Sequence, residues 1–365
     1  MKTRTSTYSF IPEKETTAEY HVLICVTDPS LDYPSQLNAV LQACAAASQG
    51  RTVHFRRFFL SDAANQSPLL VQALDTLPSV PTSIVQQAPL DGTRIALWLY
   101  ATDPIGQTGG HPSHNGYTHH WTGSLVSPGA DSCQQMTGLF QMLSQRLGQS
   151  ALTIARDTVR TWIFVRDVDT NYAGAVKGRR DYFEQIGLTA DTHFIASTGI
   201  EGWAPDWRNI VEMDAYSIGG LQEGQKNHLY ALDHLSPTAV YGVTFERGST
   251  ITYGDRKHVF ISGTASIDAQ GKVMHPGDVA AQTGRMLENV TALLSEAGAG
   301  LADIAMAIVY LRDPADYPCV RQVLAERCPS LNALYVHAPV CRPAWLVEME
   351  CIALTADGDK SFPDF

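Results

Sequence analysis

The sequence predicts an α+β protein built from three tandem units, each a mixed β-sheet with helices packed on one face. Two observations carry this. Three stretches repeat one strand ending: Phe58-Phe59-Leu60-Ser61-Asp62, Ile163-Phe164-Val165-Arg166-Asp167 and Val309-Tyr310-Leu311-Arg312-Asp313. Upstream of each lies an amphipathic helical stretch, at residues 36–47, 136–147 and 282–297, and such a spaced recurrence is the mark of repeated structural units.

The first unit places its helix at 36–47 and its strand at 55–60, then runs through a segment with three prolines, Pro78, Pro81 and Pro89, into a strand at 94–100 that reads as a degenerate closing strand. Residues 101–129, rich in Gly, Pro, His and Asn, read as a long loop. The middle unit follows with its helix, its copy of the repeated strand, and a closing strand at 210–218 that carries Glu212 and Asp214. A second loop, 218–237, precedes the apolar run 239–245 that leads into the last unit. There Met286, Leu287, Val290, Leu293 and Leu294 share one helical stripe, and the closing strand 346–354 carries Glu348 and Glu350. The order within a unit is β-β-α-β-(α)-β. The expected units are 1–110, 111–235 and 236–365.

Composition excludes several classes of function. At 365 residues, 44% hydrophobic and 17% charged, the chain has material for two or three packed cores. A formal charge of -11 and the lack of any Lys/Arg run exclude a nucleic-acid binder, and an anionic ligand must therefore meet local arginines. No stretch of about 18 apolar residues occurs, so no membrane association is expected and the default location is cytoplasmic. The seven cysteines are odd in number and lack zinc spacing, which reads as reduced thiols.

Strand alternation puts Glu348 and Glu350 on one face, roughly 7 Å apart along the strand. If that face is enclosed, desolvation and mutual repulsion raise at least one pKa and keep a proton available near neutrality. If it is solvated, the pair is an exposed strand edge. Histidines His111, His114, His119 and His120 invite a metal, but a Gly/Asn-rich loop without spaced carboxylates or thiols favours a loop lining a pocket or the surface. Neither a dinucleotide fingerprint nor a phosphate loop is present.

In the last third, Ile261-Ser262-Gly263-Thr264-Ala265-Ser266-Ile267, then His275-Pro276-Gly277-Asp278, the strand ending at Asp313 and the closing strand 346–354 resemble the YjgF/YER057c/UK114, or RidA, family. Small RidA enzymes hydrolyse enamines and imines with an arginine in an Ala-Arg-Ser-Cys-like segment. The corresponding Asn332-Ala333-Leu334-Tyr335 lacks it, as does Ala196-Ser197-Thr198-Gly199. Over most of its length the chain is more similar to the chorismatases, through Arg160-Thr161-Trp162, Tyr172 with Gly178-Arg179, Ser197-Thr198-Gly199, Phe245-Glu246-Arg247-Gly248 and Cys341-Arg342-Pro343 leading into Val347-Glu348. That resemblance implies cleavage of chorismate to pyruvate and a cyclohexadiene diol or a hydroxybenzoate. It implies an acid at Glu348 and a dianion held by Arg247, Arg342, Arg160 and Arg179, with Tyr172 and Glu350 completing the substrate-binding set. Cys341 and Gly254 match the pattern of the 3-hydroxybenzoate-forming subclass. No cofactor or metal is implied. The trimeric habit of RidA proteins implies an internal pseudo-trimer, as a monomer or small homo-oligomer, with a cleft between units. Two alternatives stay open: a RidA-like deaminase with a relocated carboxylate anchor, and a non-catalytic metabolite-binding protein.

Overall fold

A computed structural model describes residues 2–12 and 16–365, and within them the chain forms three sheets of one topology. The first unit contains β1 (Thr3–Phe10), β2 (Glu19–Val26), α1 (Tyr33–Ser48), β3 (Thr52–Leu60), α2 (Ala63–Leu74), β4 (Thr82–Gln86) and β5 (Ile95–Thr102), with strand order β1-β2-β5-β3-β4. The second contains β6 (Gly106–Thr108), β7 (His111–His114), β8 (Tyr117–Val126), α3 (Ser132–Gly148), α4 (Ile154–Asp157), β9 (Thr158–Val165), α5 (Val168–Gln185), β10 (Ala196–Glu201) and β11 (Val211–Gly219). The third contains β12 (Lys226–Leu229), β13 (Gly248–Thr252), β14 (Lys257–Ala265), α6 (Val279–Glu296), β15 (Ile304–Leu311), α7 (Tyr317–Arg327), β16 (Ala333–His337) and β17 (Val347–Thr355). The orders β7-β8-β11-β9-β10 and β13-β14-β17-β15-β16 repeat the first, with β6 and β12 added at an edge.

The repeated aspartate has a local cause. Asp62 accepts the Asn65 N–H at the start of α2, and Asp313 accepts that of Ala315 in the turn before α7, so each supplies a missing helix-start acceptor. Asp167 departs: it has φ 50°, and the backbone N–H groups of Asp167 and Val168 donate to Glu201 instead.

Each sheet buries one face under its own helices and the other toward a shared axis. The helix side is apolar, as in the cluster of Val22, Leu37, Val40, Phe58 and Leu97. On the axis side Trp98, Trp121 and Trp162 pack with ring centroids 6.0–6.3 Å apart. The fourth strands close a ring through backbone bonds: Gln86 N–H to Trp203 O, Glu201 N–H to Pro339 O, and His337 N–H to Ala88 O. Sequence repetition thus becomes a threefold ring with three contacts between units.

Four expectations are corrected. Residues 101–129 are not a long loop: β6, β7 and β8 form a meander whose turns place Gly109, Gly110, Asn115 and Gly116 at positive φ, as tight hairpins require. The loop at 218–237 contains β12, which already pairs with β13. The apolar run at 239–245 is a 3₁₀ turn, Thr238–Tyr241, followed by irregular chain, and the strand begins only at Gly248. A unit also has one more strand than expected, the parallel edge strand β4, β10 or β16.

Candidate active site

Register defines equivalent positions around the ring. Glu348 pairs with Tyr310 and Ala265, Glu212 with Phe164 and Val126, and Ala96 with Phe59 and Cys25. The acid pair Glu348/Glu350 therefore corresponds to Glu212/Asp214 in the second unit and to Ala96/Trp98 in the first.

Between the second and third units, Glu348 faces a small enclosed cleft with Tyr172, Arg179, Arg247, Cys341 and Arg342. Arg247 and Cys341 come from the third unit, while Tyr172 and Arg179 project from α5 of the second. Glu348 is 5% exposed. Burial first, then the charge of Glu350, raises its pKa to about 8, against the opposing pull of Arg247 and Arg160. It therefore holds its proton at neutral pH. Gly263 makes this position possible, because a β-carbon there would fall well inside contact distance of the Glu348 Oε1.

Glu350 lies behind the cleft wall. Arg160 Nη2 is 2.7 Å from its Oε2, the Trp162 indole N–H donates to Oε1 at 2.9 Å, and Thr198 also bonds Oε2. Arg57, from the first unit, stands 3.9 Å from the same carboxylate and 2.8 Å from Asp214. Both arginines are buried. Two cations thus flank Glu350, whose charge is the second cause, after burial, that disfavours ionisation of Glu348.

The structure thus brings together Glu348, Cys341, Arg247, Arg342, Arg179 and Tyr172. It separates three residues of the expected set from the cleft surface. Arg160 and Glu350 form the supporting ion pair, and Gly254 packs against Phe362 and Asp364 at the other end of the third unit. Arg57, Ser197, Phe245 and Trp345 join the site or its support. Of these, Arg57 was hidden within the repeated strand, since only ring closure sets it beside Asp214.

Arg179 Nε donates to Thr244 Oγ1 at 3.0 Å and Arg247 Nη2 to Ser236 O at 2.9 Å, so both guanidinium groups hold the segment 236–245 over the cleft. The Cys341 thiol is pushed up to about 12 by burial, then by Glu348, and stays protonated. The histidines do not form a metal centre. His119 is buried with Nδ1 2.8 Å from the Tyr216 hydroxyl, the His111 and His120 rings pack at a tilt of 36°, and no metal-ligating cluster is found among the described residues.

A larger groove of about 860 Å³ lies on the helical side of the third unit, against Tyr230, Leu232, Glu288 and Arg327. It lacks the enclosed acid and converging arginines of the cleft. Among the described residues no helix is long and apolar enough to cross a membrane.

Residues 249–355 match the family model described as endoribonuclease L-PSP. A 3-aminoacrylate deaminase RutC from Acinetobacter baylyi is 40% identical over 97 residues, 26% of this chain and 77% of the relative. A 3-hydroxybenzoate synthase from Streptomyces hygroscopicus is 29% identical over 219 residues, 53% of this chain and 63% of that protein, so the match spans less than two thirds of the synthase. A crystal structure of a chorismatase superposes with a TM-score of 0.65 and 21% identity, covering 92% of this chain and 98% of the other. The fold of the three units together is that of the chorismatase structure.

Proposed function

The chain belongs to the YjgF/YER057c/UK114 (RutC) family through its last third, and from that premise we propose that it is a chorismatase, cleaving chorismate to pyruvate and a hydroxybenzoate. One observation carries the reading: a buried carboxylic acid, Glu348, lifted to about 8, shares a cleft with arginines from two units. Chorismate carries two carboxylates, which Arg247, Arg179 and Arg342 would hold in charge-assisted contacts. Glu348 would then donate its proton to the methylene carbon of the enolpyruvyl ether, giving an oxocarbenium-like centre. Water adds to that carbon and returns a proton to Glu348, the resulting hemiketal collapses to pyruvate and the ring diol, and loss of one water from the diol gives the hydroxybenzoate. Chorismate has the summed composition of pyruvate and hydroxybenzoate, so this outcome consumes no net water, whereas the cyclohexadiene diol requires one water.

The cleft as it stands has room of about 30 Å³, enough for about one water. Substrate therefore enters when the segment 236–245 withdraws, its carboxylates replacing the Thr244 and Ser236 acceptors on Arg179 and Arg247. Cys341, a neutral thiol at the cleft wall, favours 3-hydroxybenzoate as the aromatic product, the compound named for the Streptomyces relative.

The 40% identity to a 3-aminoacrylate deaminase favours a second reading, an enamine or imine deaminase. Incubation of the purified chain with chorismate, and separately with 2-iminobutyrate, decides between them. Equal amounts of pyruvate and hydroxybenzoate are expected from the first. Intact chorismate with ammonia released from the second would overturn the chorismatase reading.

A further inference from the structure

The three contacts between units have diverged into three kinds of cleft. The one between the second and third units holds Glu348. The one between the first and second is sealed: Ser124 Oγ accepts the Ile84 N–H at 2.9 Å, its own N–H donates to Asp214 at 2.8 Å, and a β-carbon at Gly123 would collide with the Thr82 backbone. The third, between the third and first units, is open, with a volume of about 510 Å³.

This open cleft uses the positions of the candidate active site, carried one unit on. Cys25, opposite Ala96, stands where Ala265 stands opposite Glu348. Tyr335, beside Val309 on the parallel edge strand, stands where Gly199 stands beside Ile163. Tyr317 and Arg321 enter from α7 as Tyr172 and Arg179 enter from α5. The acid is absent, because Ala96 occupies its position.

What remains is a binding surface. Arg4 on β1 stands directly across from Cys25 on β2, while Arg321 lines the facing wall with Tyr317, and each arginine opposes the rise that burial gives its neighbour's pKa. The rings of Tyr317 and Tyr335 pack edge to face with centroids 5.4 Å apart, and Leu23, Leu324 and Leu331 supply apolar surface. Asp91 is the single carboxylate of the lining, so the cleft carries a local positive balance in a chain of formal charge -11. Two forked cations beside two aromatic rings and an apolar wall suit a ligand with a carboxylate at one end and a flat ring at the other.

We propose that the cleft between the third and first units is a second, non-catalytic site for a small aromatic carboxylate. The inference stands on this cleft's own residues and not on the reaction assigned to Glu348. The probe is 3-hydroxybenzoate, titrated calorimetrically into the full chain carrying Arg247→Ala, which disables the candidate active site. One equivalent should still bind. Adding Arg4→Glu and Arg321→Glu should weaken that binding at least 10-fold, while the same two changes in the otherwise unaltered chain leave turnover unchanged. Arg321→Gln alone, a mild change at an exposed side chain, should weaken it about threefold and guards against misfolding of the multiple variant. Loss of all binding with Arg247→Ala, or residual binding indifferent to every change at Arg4 and Arg321, overturns the proposal. Chorismate cleavage measured in parallel on the unaltered chain reports separately on the reaction.

Discussion

Arg160 of the second unit and Glu350 of the third form an ion pair of 2.7 Å between two buried side chains, on the same strand face that presents Glu348. The pair holds a negative charge two residues from the acid. That charge is the second cause, after burial, of the raised Glu348 pKa. Glu350→Gln should therefore shift the descending, alkaline limb of the pH–activity profile from about 8 downward by about one pH unit. Because Arg160 loses its carboxylate partner, a stability loss of about 3 kcal/mol is also expected. Initial rates of pyruvate release between pH 5 and 10 and thermal denaturation check the two parts, and an unmoved alkaline limb would remove Glu350 from the account.

Gly263 leaves the space that the Glu348 carboxyl group occupies. Gly263→Ala should push the acid aside while leaving the arginines in place. A misplacement of about 1 Å costs on the order of 100-fold in rate, so kcat should fall by about that factor with KM changed less than threefold. A variant with full kcat would show that Glu348 does not act from its present position.

How much of this was legible in the sequence depends on how local each signal is. The strand repeats were readable because Asp62 and Asp313 serve as local helix-start acceptors, and the facing of Glu348 with Glu350 followed from strand alternation. The β6–β8 meander was missed although Asn115-Gly116 is a hairpin turn signal; the surrounding Gly, Pro and His residues masked the strands. Arg160 was read as a substrate contact, because a conformation-free sequence does not distinguish an arginine lining a cleft from one bracing the carboxylate behind it. Arg57 was beyond reach for a stronger reason. Its partners Asp214 and Glu350 lie in the other two units, and only closure of the ring brings all three together.

Arg247 and Arg179 approach the cleft from different units. If they hold separate substrate carboxylates, Arg247→Lys should lower kcat/KM by about 30-fold, since a lysine keeps the charge but loses the two-point fork. Arg179→Lys should do the same, and the double variant should show additive losses in free energy. Steady-state kinetics with chorismate tests this, and unchanged kcat/KM in both single variants would place the carboxylates elsewhere.

Cys341 remains a thiol at neutral pH because its pKa is pushed up to about 12. It can donate or accept a weak hydrogen bond, but it is not an ionised nucleophile. Cys341→Ala should therefore leave total pyruvate release within about fivefold while lowering the hydroxybenzoate share of the ring products in favour of the diol. Chromatography of the products reads the ratio. An unchanged ratio would make the residue a packing element.

Glu212 provides a test free of catalysis, since it stands at the Glu348 position in the sealed cleft. It is buried, neither carboxyl oxygen has a hydrogen-bond partner among the described residues, and desolvation, then Asp214, raises its pKa to about 8. The group ionises near 4.5 when unfolded and near 8 when folded, so the folded state binds the proton more tightly. Its favourable contribution is fully present below about 4.5 and is lost as pH rises through about 8. Glu212→Gln, which removes the titration, should match the unaltered chain in stability at pH 4 and exceed it by about 5 kcal/mol at pH 9. Denaturant unfolding at the two pH values measures the difference, and equal stability at pH 9 would mean that the sealed cleft accommodates the carboxylate without cost.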